Sequence, residues 1–230
     1  MNKSSDSLVE WCEASVSRYE FSQFISEFTN SFSNIAFLLV SFYSSGNHFL
    51  CDYSVRLLAI GSFMFHATES YKWQLADELS MSLLACFYYL PIQHHFIVHS
   101  TILQKITNYM YPISLSLVWF IYIKYKLYFL FVSFFAIQVS LPLYMVTFVM
   151  PTTDQQKFDL AKGAFFAIGS VGCWSYERYL HSIGLCPNDT SDYRYYLHSY
   201  WHIGMAAAHF HFMRCIDKFT VSSANEIKKN

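Results

Sequence analysis

The sequence predicts an all-α protein, a polytopic membrane bundle of seven transmembrane helices. Hydrophobic residues make up 54% of the 230 residues, while Asp, Glu, Lys and Arg together make up only 13%. That charged share is about half of what an ordinary soluble domain carries. Glycine and proline are few, at seven and five residues, which favours long helices over turn-rich β structure. The net charge of −1 gives no reason to expect a nucleic-acid partner.

Seven stretches poor in charged residues are candidate membrane spans, since a bilayer requires about 20 mainly apolar residues. They are residues 29–52, 56–68 with a start near Cys51, 79–104, 106–123, 127–153, 158–179 and about 195–213. The sixth span is weaker because it admits Asp159, Lys162 and Glu177. The connections are short and leave no room for a second domain. We therefore divide the chain into an N-terminal segment (1–28), a membrane domain (29–215) and a tail (216–230).

The two termini are expected on opposite sides of the membrane. The first 28 residues contain no apolar run, so the sequence predicts no cleavable signal peptide, and the first span would direct the chain to the membrane. The C-terminal end of the chain carries Arg214, Lys218, Lys228 and Lys229, whereas the N-terminal segment is acidic. Because positive residues prefer the cytosolic side, we expect a cytosolic C-terminus.

Polar residues inside the spans form three groups, and ionisable residues in a bilayer are by default functional. Ser62 and His66 are four residues apart in the second span, so they share a helix face. Asp77 lies at the start of the third span. His198 and His202, at the start of the seventh span, are again four apart, a spacing that lets two imidazoles reach one metal ion.

The order of crossings places these groups at one level of the membrane. The end of the second span and the starts of the third and seventh spans all lie on the side of the N-terminus. Three imidazoles at that level can fill three positions of a tetrahedral zinc site and leave the fourth open to water, as catalytic zinc requires. On spacing alone, a haem site or a simple polar network stays open.

These residues resemble the alkaline ceramidases, part of a superfamily of seven-span hydrolases that includes adiponectin-receptor relatives. The shared pattern is Ser-x3-His, an Asp eleven residues on, and a distant His-x3-His. Residues 65–68 (FHAT) and 74–81 (QLADELSM) are similar to the family's FHATL and QLLDELPM. Residues 10–13 (EWCE) and 26–34 (SEFTNSFSN) resemble its DWCE and AEFxNTxSN.

The resemblance implies a zinc-dependent amidase that cleaves ceramide or a related sphingolipid into a sphingoid base and a fatty acid. His66, His198 and His202 would hold zinc, and zinc-activated hydroxide would attack the amide carbonyl. Asp77 would act as general acid and base, and Ser62 would stabilise the oxyanion. The alternatives are a related hydrolase with another lipid substrate and a zinc-containing, receptor-like membrane protein without turnover.

The resemblance also implies a calcium site, a disulfide and a location. Calcium would be held by the Trp11 carbonyl, Glu13, Glu27 and Glu10, although Glu10 replaces the family's Asp and the spacing from Cys12 to Glu27 is about three residues longer. Cys12 and Cys186 would form the disulfide. The protein would sit among membrane lipids of the endoplasmic reticulum or Golgi, with a lumenal N-terminus.

Overall fold

The computed structural model describes residues 5–43, 48–97, 101–149 and 153–227, and every regular element in these ranges is helical. The all-α prediction is therefore confirmed. The α-helices are α1 (Cys12–Ser17), α2 (Phe28–Ser33), α3 (Ile35–Phe42), α4 (Phe49–Thr68), α5 (Tyr71–Ile97), α6 (Thr101–Tyr125), α7 (Tyr128–Tyr144), α8 (Asp154–Ser182) and α9 (Leu197–Ile227). A π-helical turn, Met145–Val149, extends α7, and a short 3-10 helix, Tyr193–Tyr196, precedes α9.

The predicted spans correspond to these helices with shifts in their bounds. The first span is shorter than predicted, because α3 ends at Phe42 and residues 49–52 belong to α4. The third begins at Tyr71, eight residues earlier than predicted, so Asp77 lies inside α5 and not at its start. The predicted boundary at residue 216 falls within α9. The predicted third span ends too late, because residues 101–104 belong to α6. Residues 98–100 of this span and residues 150–152 of the predicted fifth span lie outside the described ranges.

The turn between α4 and α5 is tight, and the N-terminal segment is hydrogen-bonded to it. Glu69 ends α4 in the left-handed region, at φ 48°, and its N–H donates to the Phe65 carbonyl. Three backbone hydrogen bonds join the N-terminal segment to this end of α4: Ser7 N–H to the Glu69 carbonyl, Ser26 N–H to Ala67 and Glu27 N–H to His66. The segment therefore lies directly over the end of the bundle that contains His66.

The pairs α4–α5 and α8–α9 are the most extensive helix packings, and α3 lies between α4 and α9. Helix α8 begins with a capping box, in which Thr153 and Gln156 satisfy each other's backbone N–H groups. A disulfide between Cys12 and Cys186 joins α1 to the loop between α8 and α9, with the Cα atoms 5.2 Å apart. It ties the N-terminal segment to a second place near the start of α9.

Within the described ranges, one helix is long and apolar enough to cross a membrane. It runs from Tyr128 to Phe148, with a mean hydropathy of 2.0, and the shorter stretch Phe28–Phe42 is also apolar. Large apolar side chains are nevertheless exposed on several helices. Examples are Phe120, Phe129, Ile137, Phe148, Phe165 and Ile168.

Candidate metal centre and adjoining cavity

His66, His198 and His202 come together at the end of the bundle that the N-terminal segment covers. The ring centroids are 4.8 Å apart for His66 and His198, 5.0 Å for His66 and His202, and 4.6 Å for His198 and His202. One ligand atom from each ring lies within 4.8 Å of the others. All three side chains are at most 3% exposed. Among the described His, Cys, Asp and Glu residues, this is the only group of three or more placed closely enough to hold a metal ion.

Each of the three rings is oriented through its Nδ1 atom by a different neighbour. Glu27 bonds to Nδ1 of His66. Glu177 of α8 bonds to Nδ1 of His198 at 3.1 Å. The Ser33 hydroxyl of α2 bonds to Nδ1 of His202 at 2.7 Å. Nε2 is then the atom that each ring has left to bind a metal, an arrangement that is usual around metal-bound histidines.

The residues fit zinc. Nε2 of His66 is buried and has no hydrogen-bond partner among the described residues. A buried polar atom without a partner is costly, and a metal ion at this point would remove that cost. Three imidazoles match the ligand number of a catalytic zinc site with one open position.

The sequence motifs predict no role for two of these orienting residues. Glu177 is a charge within the predicted sixth span, and Ser33 is part of the motif at residues 26–34. The signal for Glu177 was its position, because an acidic residue inside a span is by default functional. Nothing local signalled Ser33, which is 169 residues from His202.

Ser62 and Asp77 lie beside each other on the wall next to the histidines. Ser62 is on the same face of α4 as His66 and is 1% exposed. Asp77 reaches this position because α4 and α5 pack closely at Gly61. A Cβ atom on Gly61 would lie 3.0 Å from the Asp77 backbone nitrogen and 3.1 Å from the Ala76 carbonyl carbon.

A cavity of about 400 Å³ adjoins the metal centre and extends between the helices. Ser62, Asp77, His198 and His202 line one part of it, and its wall is otherwise mostly apolar. The apolar lining includes Leu84, Phe131, Phe135, Val139, Met205 and Phe212. A cavity of this composition suits a hydrocarbon chain whose polar group lies at the histidine end.

The four residues expected to bind calcium each contact different protein groups. Glu10 is paired with Arg18 at 3.2 Å. Glu13 is saturated: its carboxylate accepts hydrogen bonds from the backbone N–H groups of Thr29 and Asn30, the Thr29 hydroxyl and the Tyr195 hydroxyl. These contacts do not fit a shared calcium site.

The remaining two contact the histidines. The Trp11 ring packs against the His198 ring, with centroids 3.8 Å apart and an angle of 35° between the ring planes. Glu27 uses one oxygen for His66, and its other oxygen, Oε1, has no partner among the described residues. Burial raises the pKa of Glu27, and the nearby carboxylates of Glu13, Glu69 and Glu177 raise it further. Both residues thus form part of the surroundings of the three histidines.

Comparisons with known proteins agree with this geometry. A family model described as Ceramidase matches residues 3–230. Alkaline ceramidase YPC1 of Saccharomyces cerevisiae is 32% identical over 89 residues, which cover 35% of this chain and 27% of the relative. Alkaline ceramidase 3 of Mus musculus is 26% identical over 131 residues, which cover 52% of this chain and 47% of the relative. The chain thus spans less than half the length of each of these two curated relatives.

Proposed function

Because this chain belongs to the Ceramidase family, we propose that it is a zinc-dependent membrane amidase that hydrolyses the N-acyl bond of ceramide or a close sphingolipid relative. The products would be a sphingoid base and a free fatty acid. The observation that carries the proposal is the buried set of His66, His198 and His202 beside Asp77 and Ser62 on the wall of an apolar cavity. The family and the site chemistry thus support the same reaction.

The metal would be held by the three imidazoles through their Nε2 atoms. Zinc in such a site supplies a Lewis acid that lowers the pKa of water and polarises a carbonyl group. Glu27, Glu177 and Ser33 hold the three rings in the orientation that this binding needs. Burial keeps the imidazoles away from competing solvent.

Asp77 and Ser62 would carry the proton transfer and the charge stabilisation. Asp77 accepts a proton from the attacking water and returns it to the nitrogen of the leaving amine, so its protonation state is restored after each turnover. The Ser62 hydroxyl donates a hydrogen bond to the carbonyl oxygen as negative charge develops there. The carbon–nitrogen bond breaks as the amine takes up the proton.

We also propose that the bundle crosses a membrane seven times, with the metal centre at the lumenal end in the endoplasmic reticulum or Golgi. The exposed apolar side chains of α6, α7 and α8 support this, since water-facing helices rarely carry so many. The disulfide between Cys12 and Cys186 is consistent with an oxidising lumen. The substrate would then enter the cavity from the surrounding lipids.

The test is hydrolysis of fluorescent ceramides by the purified full chain and by two variants. His202→Ala should lose zinc and fatty-acid release, and Asp77→Asn should keep zinc but nearly lose turnover. His211→Gln, on the same helix but outside the cluster, is the control and should retain both. A zinc-loaded protein that hydrolyses no ceramide but cleaves another lipid in a panel would point to a related hydrolase. Bound zinc without turnover of any lipid would point to the receptor-like alternative.

A further inference from the structure

Tyr88 of α5 and His209 of α9 form a polar pair in the cavity wall, away from the three clustered histidines. The Tyr88 hydroxyl bonds to Nδ1 of His209, and both side chains line the cavity. His209 is 5% exposed, and no other described residue hydrogen-bonds to its ring. The proposed reaction uses neither residue, so the pair needs another explanation.

The pair and the metal centre lie on the same faces of two helices. The α9 stripe is His198, His202, Met205 and His209, at positions i, i+4, i+7 and i+11, and the α5 stripe is Asp77, Met81, Leu84 and Tyr88 at the same spacing. All eight residues line the cavity. Seven residues of α-helix separate His209 from His202, which corresponds to about 10 Å along the axis. The cavity wall therefore has two polar places, the metal centre and the Tyr88–His209 pair, on the same faces of α5 and α9.

The wall around the pair is apolar. Leu84 and Met205 lie between the two polar places on their helices, and the Phe212 ring packs edge-on against Tyr88 with centroids 4.8 Å apart. Placing polar groups in such surroundings costs free energy unless they bind a partner. A hydrocarbon chain that starts at the histidines would pass this point near the middle of its length. A polar group on the chain at that position would meet the pair.

We propose that Tyr88 and His209 form a subsite for a hydroxyl group near the middle of one hydrocarbon chain of the lipid substrate. A hydroxyl both donates and accepts hydrogen bonds, so it matches the ring nitrogen that Tyr88 leaves free in either tautomer of His209. The inference rests on the proposed function, because it places the reacting amide at the histidine cluster. Such a subsite would make the protein selective for ceramides with a hydroxylated chain.

The experiment compares kcat/KM for ceramides that differ only in one hydroxyl. One probe carries it in the middle of the acyl chain and another in the middle of the sphingoid chain. A third carries it next to the acyl carbonyl, where the pair cannot reach. We expect one of the mid-chain probes to exceed the unsubstituted ceramide about five-fold, as a net hydrogen bond of about 1 kcal/mol allows. The third probe should show no gain that depends on Tyr88.

The variant Tyr88→Phe removes only the hydroxyl. The ratio of kcat/KM for the preferred mid-chain probe to kcat/KM for the unsubstituted ceramide should then fall to one. His211→Gln, on α9 two residues after His209 but outside the cavity lining, is the control and should leave this ratio unchanged. The inference is overturned if neither mid-chain probe is preferred. It is also overturned if Tyr88→Phe lowers kcat/KM equally for all substrates, because that result is expected of a pair that only joins α5 to α9.

A binding measurement separates this inference from the proposed function. Asp77→Asn protein, which should not turn over substrate, can be titrated with the same probes against a fluorescent ceramide. The subsite is supported if a mid-chain probe displaces the fluorescent ceramide better than the other probes and Tyr88→Phe abolishes this difference. This holds even if no ceramide is hydrolysed. Absence of hydrolysis would then count against the amidase reaction alone. Equal displacement by all probes overturns the subsite whatever the enzyme does.

Discussion

Glu177 of α8 links His198 to the N-terminal segment. One carboxylate oxygen bonds to Nδ1 of His198 at 3.1 Å, and the other accepts the Cys12 backbone N–H at 3.1 Å. Glu177 is fully buried and His198 is 3% exposed. A single acidic side chain thus connects a candidate zinc ligand to the segment that covers the site.

We predict that Glu177→Gln weakens zinc binding about 10- to 100-fold, the range found when a residue that orients a metal ligand is changed. Glutamine keeps the size of the side chain but loses the charge that stabilises the oriented imidazole. The measurement is the zinc content of purified protein against increasing chelator. Asp154→Asn removes a carboxylate from the exposed start of the same helix and should leave zinc binding unchanged. Equal zinc retention in both variants would show that Glu177 does not orient His198.

Gly61→Ala should reduce turnover without removing zinc. The new Cβ would meet the backbone of Ala76 and Asp77 at 3.0 to 3.1 Å, so α5 must move and take Asp77 with it. None of the three candidate zinc ligands takes part in this contact, so we expect Asp77 to be displaced more than the metal site. A displacement of this kind can lower the rate about 100-fold. The measurement is kcat together with bound zinc.

Gly169→Ala is the matched control for Gly61→Ala. Gly169 lies in α8, and a Cβ there meets nothing within 4 Å. It should leave turnover unchanged and slightly favour the helix. If Gly61→Ala retains full activity, the close approach of α4 and α5 does not position Asp77.

The sequence was enough to predict the helical fold and the pairing of His198 with His202, because hydrophobic length and i, i+4 spacing are local signals. The order of the predicted spans was needed to add His66 to this pair. The predicted start of α5 is too late because the uncharged stretch begins only after Asp77 and Glu78, whereas the helix begins at Tyr71. Glu78 is 4% exposed and accepts a hydrogen bond from Gln74 at 2.8 Å, so these charges do not mark the end of the helix. They belong to its inward face.

The partners of the histidines could not be predicted because they depend on how distant helices pack. Ser33 meets His202 across 169 residues, and Glu27 meets His66 across 39. No periodic pattern relates such positions. The same limit applies to calcium, since the sequence does not reveal that the Arg18 side chain pairs with Glu10 and Glu69.

Arg18 gives a further prediction, that calcium has little effect on this protein. Its guanidinium contacts both oxygens of Glu69 at 3.1 Å and one oxygen of Glu10 at 3.2 Å. Arg18 thus supplies a cation there, and the Glu13 oxygens are already occupied. We expect calcium added to protein purified without it to leave the melting temperature unchanged. A clear rise at micromolar calcium would contradict this and would indicate that the acidic residues rearrange around the ion.

Arg18→Gln should destabilise the protein by about 1–2 kcal/mol, because it leaves the buried Glu69 carboxylate without its charged partner. The value is kept low because the Arg18 side chain is 32% exposed and partly screened by solvent. Urea unfolding gives the free energy, and Lys157→Gln, which breaks an exposed ion pair with Asp154, is the control with an expected change near zero. Since Glu69 ends α4 three residues after His66, Arg18→Gln should also loosen zinc binding. Loss of stability with unchanged zinc affinity would limit Arg18 to holding the N-terminal segment in place.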